Sequence, residues 1–166
     1  NFANKLWNAA RFALMNMDDD PAVVGPMETR DLADRWLQAR MRSVTRETER
    51  WLGEYRFNEA SKGLYDFVWH EFCDWYLEMA KVRIQEGGPA AVAAKRGILF
   101  GLTNSLQLLH SLMPFITEEI WHHLPGTEGD LITAEWPDAA AMAEDADAVE
   151  AMDLLMETVV SIRNIR

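Results

Sequence analysis

The sequence predicts an all-α protein, a helical bundle of five to six helices in which residues 1–166 form a single domain. Three observations carry that reading. Apolar residues recur at i, i+3, i+4 spacing in successive stretches, the periodicity of amphipathic helices. Glycine and proline fall between those stretches, at Pro21 to Pro26, Gly87-Gly88-Pro89 and Pro125 to Pro137, where they punctuate. Finally, the stretch Ala60 to Ile84 is apolar over well over half of its helical circumference. On a 100° wheel Leu64, Val68, Phe72, Trp75, Met79 and Val82 share one face, widened by Tyr65, Trp69 and Tyr76. A helix with so broad an apolar face must touch several neighbours, so it is expected at the centre of the bundle.

The elements follow in order. Residues 1–17 read as a helix ended by the Asp18-Asp19-Asp20-Pro21 cluster, with Phe2, Leu6, Ala9, Ala10, Ala13 and Leu14 on one side. Its other side holds Asn1, Asn4, Lys5, Asn8 and Arg11, without a carboxylate. A second helix is expected from Thr29 or Arg30 to about Leu52, with Gly53 as its stop and Leu32, Trp36, Leu37, Met41, Val44 and Trp51 inward. Tyr55 to Asn58 leads into the central helix, whose polar arc carries Asp66, His70, Asp74, Glu78 and Lys81. A fourth helix spans about Ala90 to Met113 on the repeat Leu99, Leu102, Leu106, Leu109 and Met113. Pro114 can open a short fifth helix, Phe115 to His123. Pro125 to Pro137 reads as irregular, with an extended piece at Leu131-Ile132-Thr133. The last helix covers roughly Asp145 to Arg166, with Val149, Met152, Leu155, Met156, Val159 and Ile162 inward. It ends while still amphipathic, as expected of a fragment of a longer chain.

Composition bounds the function. With 49% hydrophobic and 26% charged residues the chain is globular, and no apolar run reaches the roughly 18 residues of a membrane span. The opening residues are mixed and polar, unlike a signal peptide. A single cysteine, Cys73, cannot form an internal disulfide and reads as a buried small hydrophobe, which fits a reduced, cytoplasmic protein. The net charge of −11 is uneven. Residues 1–96 hold 14 basic and 15 acidic side chains, a net of −1, while residues 97–166 hold 2 and 12, a net of −10. A polyanion would therefore have to bind through the first half.

Catalytic chemistry is sparse. Glu119-Ile-Trp-His122 is a Glu-x-x-His element of the di-iron type, but such sites need two, so no metal is expected. His70 and Asp66, one turn apart, read as a surface pair. No Gly-rich phosphate loop, nucleophile elbow or CxxC pairing occurs. What remains are two basic faces. Arg35, Arg42 and Arg46 align on the second helix, either to bind phosphate or to pair with Asp31 and Glu49 on the same helix. The Asn/Lys/Arg face of the first helix, with Phe12 at its margin, suits base edges and stacking as well as it suits solvent.

Four stretches carry a family resemblance. They are Asn4-Lys-Leu-Trp-Asn-Ala-Ala-Arg-Phe12, Trp69-His-Glu-Phe-Cys-Asp-Trp-Tyr-Leu-Glu78, Met113-Pro-Phe-Ile-Thr-Glu-Glu-Ile-Trp121 and Ser161-Ile-Arg-Asn-Ile-Arg166. The chain resembles the anticodon-binding helical domain of class I aminoacyl-tRNA synthetases, most closely the valyl type. The resemblance covers essentially the whole chain, most loosely at 17–28 and 125–148. It implies that the domain binds the anticodon stem-loop of a valine-type tRNA and abuts the catalytic domain of its parent chain, which would use ATP to attach valine. The ATP-binding signatures of that catalytic domain are absent here, so this fragment is expected to hold no cofactor and to be inactive alone. Membrane and DNA are not expected partners. The resemblance further points to Asn8 and Arg11 at the anticodon loop, with Asn4 and Lys5 beside them and Arg35, Arg42 and Arg46 guiding the RNA backbone. The competing readings are a docking module without RNA specificity, the same domain of an isoleucyl or leucyl type, and a stand-alone di-metal enzyme.

Overall fold

The structure, a computed structural model, describes residues 1–17, 21–29 and 31–165. The acidic cluster expected to end the first helix, Arg30 as an alternative helix start, and Arg166 lie outside the described residues. Helix α1 is Phe2–Met17, α2 Leu32–Gly53, α3 Phe57–Asp66, α4 Leu77–Glu86, α5 Gly88–Leu109, α6 Pro114–Trp121 and α7 Ala146–Asn164. Between α3 and α4 runs a π-helical segment, Phe67–Tyr76, and all three are one continuous rod with helical backbone at both junctions. With that rod counted once there are six helices and no strand among the described residues, an all-α bundle. No helix is long and apolar enough to cross a membrane.

Local chemistry sets the boundaries. Asp31 caps α2, its carboxylate accepting the Ala33 N–H at 2.8 Å, so the helix starts later than Thr29. Gly53 is the last residue of α2, as expected. The chain turns at Tyr55, which takes the left-handed position at φ 60° while the Arg56 N–H bonds back to the Trp51 carbonyl. The piece expected to be extended, Leu131–Thr133, is a 3₁₀ turn. Glu118 on α6 accepts the Leu131 N–H at 2.7 Å and the Ile132 N–H at 3.3 Å, which holds those amides away from any strand partner.

One contiguous core runs from Leu6 on α1 to Met152 on α7. The rod is at its centre, contacting α1, α2 and α5. Its buried line differs from the 100° projection, however. Leu64, Val68, Phe72 and Tyr76 are buried as expected, but Phe67, Cys73, Leu77 and Ala80 are buried too, and Val82 is 56% exposed. The cause is the π segment: i→i+5 bonding turns the chain less per residue, so a 100° wheel drifts off the true face beyond it. Likewise α7 buries only Ala148 and Met152 fully. Leu155 and Ile162, expected inward, are exposed.

The π segment is seated in a notch of α5. A Cβ on Gly101 would lie 2.4 Å from the Phe72 ring, and one on Gly97 would lie 1.7 Å from the Tyr76 hydroxyl oxygen. Phe72 and Tyr76 stack at 6.1 Å and fill the space those glycines leave. The Tyr76 hydroxyl donates to Asp34 Oδ1 at 2.7 Å, and Arg83 donates to both Asp34 oxygens at 2.8 Å. Asp34 is 1% exposed, so this carboxylate is charged only in company. Burial first, and then the facing carboxylate, push the Tyr76 phenol well above its ordinary pKa, so it stays a donor.

Removing one partner should therefore be severe. Arg83→Met is expected to cost about 3–5 kcal/mol in urea unfolding, because Asp34 is left buried without its counter-charge. Gly97→Ala should destabilise by about 1–3 kcal/mol by driving Tyr76 off Asp34.

Candidate nucleic-acid interface

The residues of α1 that face away from the core meet the π segment and α4. Its buried side is small, with Leu6, Ala9, Ala10 and Ala13, and that lets α1 lie close against the rod. Lys5 reaches Asp74 at 2.5 Å, and its ammonium sits 4.7 Å from the Trp69 ring centroid. Asp74 also faces His70 Nδ1 at 3.5 Å, so His70 pairs forward with Asp74 and not back with Asp66. One turn further on, Lys81 pairs with Glu78 at 2.5 Å and lies 5.3 Å from the Phe12 ring centroid.

Between these pairs lies a pocket of about 200 Å³ lined by Lys5, Asn8, Ala9, Phe12, Cys73 and Asp74, with Leu77, Glu78 and Lys81 closing it. Its floor is apolar and its rim charged, but two lysines face two carboxylates. A phosphate would have to displace a carboxylate from each cation. A flat, neutral, hydrogen-bonding ring meets an aromatic face, an amide and both signs of charge. Burial pushes the Cys73 thiol up to about 12, which makes it an inert wall of that pocket.

Asn4, Asn8 and Arg11 are exposed, with no side-chain hydrogen bond or ion pair among the described residues. Arg11 also lines a second, smaller pocket of about 130 Å³ with Trp7, Leu14, Ile120 and His123. The structure thus brings Asn4, Lys5, Asn8 and Arg11 together along one helix, with Lys5 held by Asp74. Sequence reasoning placed Phe12 at this margin but missed Asp74, Lys81 and the half-exposed Trp7. The polar arc of the central stretch was the available signal, since two of these three residues belong to it.

The α2 arginines are placed differently. Arg35 donates to both oxygens of Asp145, at 2.7 and 3.1 Å. Arg42 donates to the carbonyls of Ala139 and Met142, at 2.6 and 2.9 Å. Neither pairs with Asp31 or Glu49 on its own helix. Arg46 is exposed beside a pocket of about 410 Å³ whose far wall holds Glu144, Asp145, Glu150 and Asp153. Arg35 and Arg42 therefore hold α7 and the segment leading into it, and the acidic wall opposes phosphate beside Arg46.

Residues 34–166 match the family described as the anticodon-binding domain of tRNA ligase. The chain belongs to that family. The match begins within α2, and α1 is covered by the similarity to whole proteins. The chain is 44% identical over 166 residues to a valine--tRNA ligase of Carboxydothermus hydrogenoformans. It is 40% identical over 169 residues to one of Latilactobacillus sakei and 44% over 169 residues to one of Bacillus cereus. All of this chain is covered in each case, but only 19% of each relative, so the anticodon-binding chain spans about a fifth of their length.

Asp145 makes the α7 clamp sensitive to acid. The hydrogen bond from Arg35, and then the one from the Ala148 N–H, hold its carboxyl below the ordinary value of about 3.9. A lowered pKa adds stability above the ordinary value, and that stability is lost as pH falls through the lowered one. Hydrogen exchange should show α7 losing protection in that range before α5 does. Asp145→Asn should loosen α7 selectively already at neutral pH.

Proposed function

We propose that this chain is the anticodon-reading domain of a longer valine--tRNA ligase and that it binds the anticodon stem-loop through the outer face of α1. The observation that carries this reading is the charge-balanced pocket between α1 and the π segment, next to the unpaired Asn4, Asn8 and Arg11. Unpaired loop bases are splayed, so they can stack on Phe12 and meet Asn8 or the Lys5–Asp74 pair along their edges. Arg11, with no partner among the described residues, can meet a base edge or a phosphate. Arg35 and Arg42 remain with α7 in this reading, and backbone guidance falls to Arg11. Valine as the amino acid rests on the names of the relatives, and aminoacylation with ATP belongs to the rest of their length.

A second reading, docking onto the rest of a longer chain, is favoured by the end of α7. Leu154, Ile162 and Ile165 are 66%, 59% and 85% exposed there. The two roles are compatible, because a domain linked to a catalytic body needs an interface as well as an RNA face.

The test is titration of the chain with a valine-type anticodon stem-loop, and with one whose middle base is changed, at about 50 and 200 mM salt. Phosphate contacts release counterions, so RNA binding should weaken steeply with salt and favour the unchanged loop. Arg11→Ala should cost about 1–3 kcal/mol and relax the preference if Arg11 reads a base, or weaken both loops alike if it reads phosphate. Binding of neither loop, or an affinity indifferent to salt, would leave docking as the role of this domain.

A further inference from the structure

At the far end of α5 three potential ligands converge away from the α1 pocket, with His110 beside them. Glu118 is on α6, His122 one turn later at its C-cap, Asp130 in the loop that follows, and His110 just past the end of α5. One donor atom from each of Glu118, His122 and Asp130 lies within 4.8 Å of the other two. His122 Nε2 is 3.2 Å from Glu118 Oε1 and 3.5 Å from Asp130 Oδ1. Ligands at the 2.0–2.1 Å of zinc–nitrogen and zinc–oxygen bonds are separated in a tetrahedron by about 3.3 Å, so these two edges need almost no adjustment. His110 Nε2 is 3.8 Å from the other Glu118 oxygen, Oε2.

The surroundings prepare these groups for coordination. The Thr117 hydroxyl donates to the Met113 carbonyl at 2.9 Å, so its oxygen is left to accept from His110 Nδ1, also at 2.9 Å. That bond has Nδ1–H donate to the Thr117 oxygen and turns Nε2 toward Glu118. A hydroxyl or carbonyl holding the second nitrogen of a histidine is the usual outer partner of a metal-bound imidazole. Glu118 is similarly oriented by the amides of Leu131 and Ile132. We propose that Glu118, His122 and Asp130, with His110 as the fourth ligand, bind one divalent ion of the zinc class and thereby fasten the 122–131 loop to the ends of α5 and α6. The imidazole–carboxylate set suits zinc or cobalt in preference to magnesium or calcium, which take oxygen ligands. This site differs from the Glu119-x-x-His122 element considered from sequence, since Glu119 takes no part in it.

The experiment is calorimetric titration of the metal-free 166-residue chain with Zn²⁺, paired with Co²⁺ absorption in the visible range. One ion per chain and an intense tetrahedral cobalt band are expected. His122→Gln and Asp130→Asn should each weaken binding by about tenfold or more. Both side chains are largely solvent-exposed, so circular dichroism of these variants should be unchanged. His123→Gln is the control: its Nδ1 is engaged with the Glu119 carbonyl at 2.8 Å, and its loss should leave the isotherm as it was. Absence of heat and of a cobalt band would overturn the proposal and leave the cluster as a hydrogen-bonded loop clamp. An isotherm that survives both substitutions, or that vanishes with His123, would overturn it equally.

Discussion

A buried carboxylate constrains most of this bundle. Asp34 brings a charge from α2 into the core, and the three groups that make it tolerable come from three different places in the chain. Tyr76 ends the π segment, Arg83 belongs to α4, and Gly97 of α5 leaves room for the Tyr76 ring. A buried ion pair adds little net stability over a well-packed apolar substitute, but each partner becomes indispensable once the other is buried. The cluster therefore acts chiefly as a register mark. The rod can dock on α2 and α5 in the one position where the phenol, the guanidinium and the glycine notch all meet the carboxylate.

That register also builds the outer surface. The side of the π segment opposite Phe72 and Tyr76 shows Trp69, His70 and Asp74, and α1 lies across it. A regular α-helix through these ten residues would advance further per residue and turn Asp74 away from Lys5. The same change of pitch that seats two rings in the α5 notch thus pairs Lys5 with Asp74 at the mouth of the α1 pocket. π-Helical turns of this kind are frequent at functional sites, and here the two rings in the α5 notch hold the segment from the inside.

Much of this was legible in the sequence because it is local. Helix α1, its carboxylate-free face, the broad central stretch and the leucine line of α5 all follow from side-chain periodicity. What the sequence hid was of three kinds. The π segment is invisible to a 100° wheel, so beyond Phe72 the projection kept Tyr76 on the buried face but missed Cys73, Leu77 and Ala80 and placed the exposed Val82 there. Asp34 reads as one more polar residue in a helix, because its partners are 42 and 49 positions away. Arg35 and Arg42 read as a free basic stripe, because the groups that claim them lie about a hundred residues later in a stretch with no periodicity. Asn4, Lys5, Asn8 and Arg11 could be grouped from the sequence because successive turns of one helix relate them. Asp74 and Lys81 were missed because only tertiary packing relates them to that set.

The fate of the arginines explains how so acidic a chain can have an RNA face at all. The −10 of residues 97–166 would repel a polyanion from any side, unless it were locally balanced or turned away. Arg35 and Arg42 spend their charge on the segment that carries much of that acidity, binding Asp145 and the carbonyls before it. This leaves α7 attached and its surface net acidic, so phosphate gains nothing there. On α1, by contrast, Asp74 and Glu78 are each already paired with a lysine. Among the described residues Arg11 has no carboxylate partner. At an ionic strength near 0.15 M, where screening acts within about 8 Å, such local balance matters more than net charge. A polyanion is steered less by the protein's total charge than by the local balance of the face it meets.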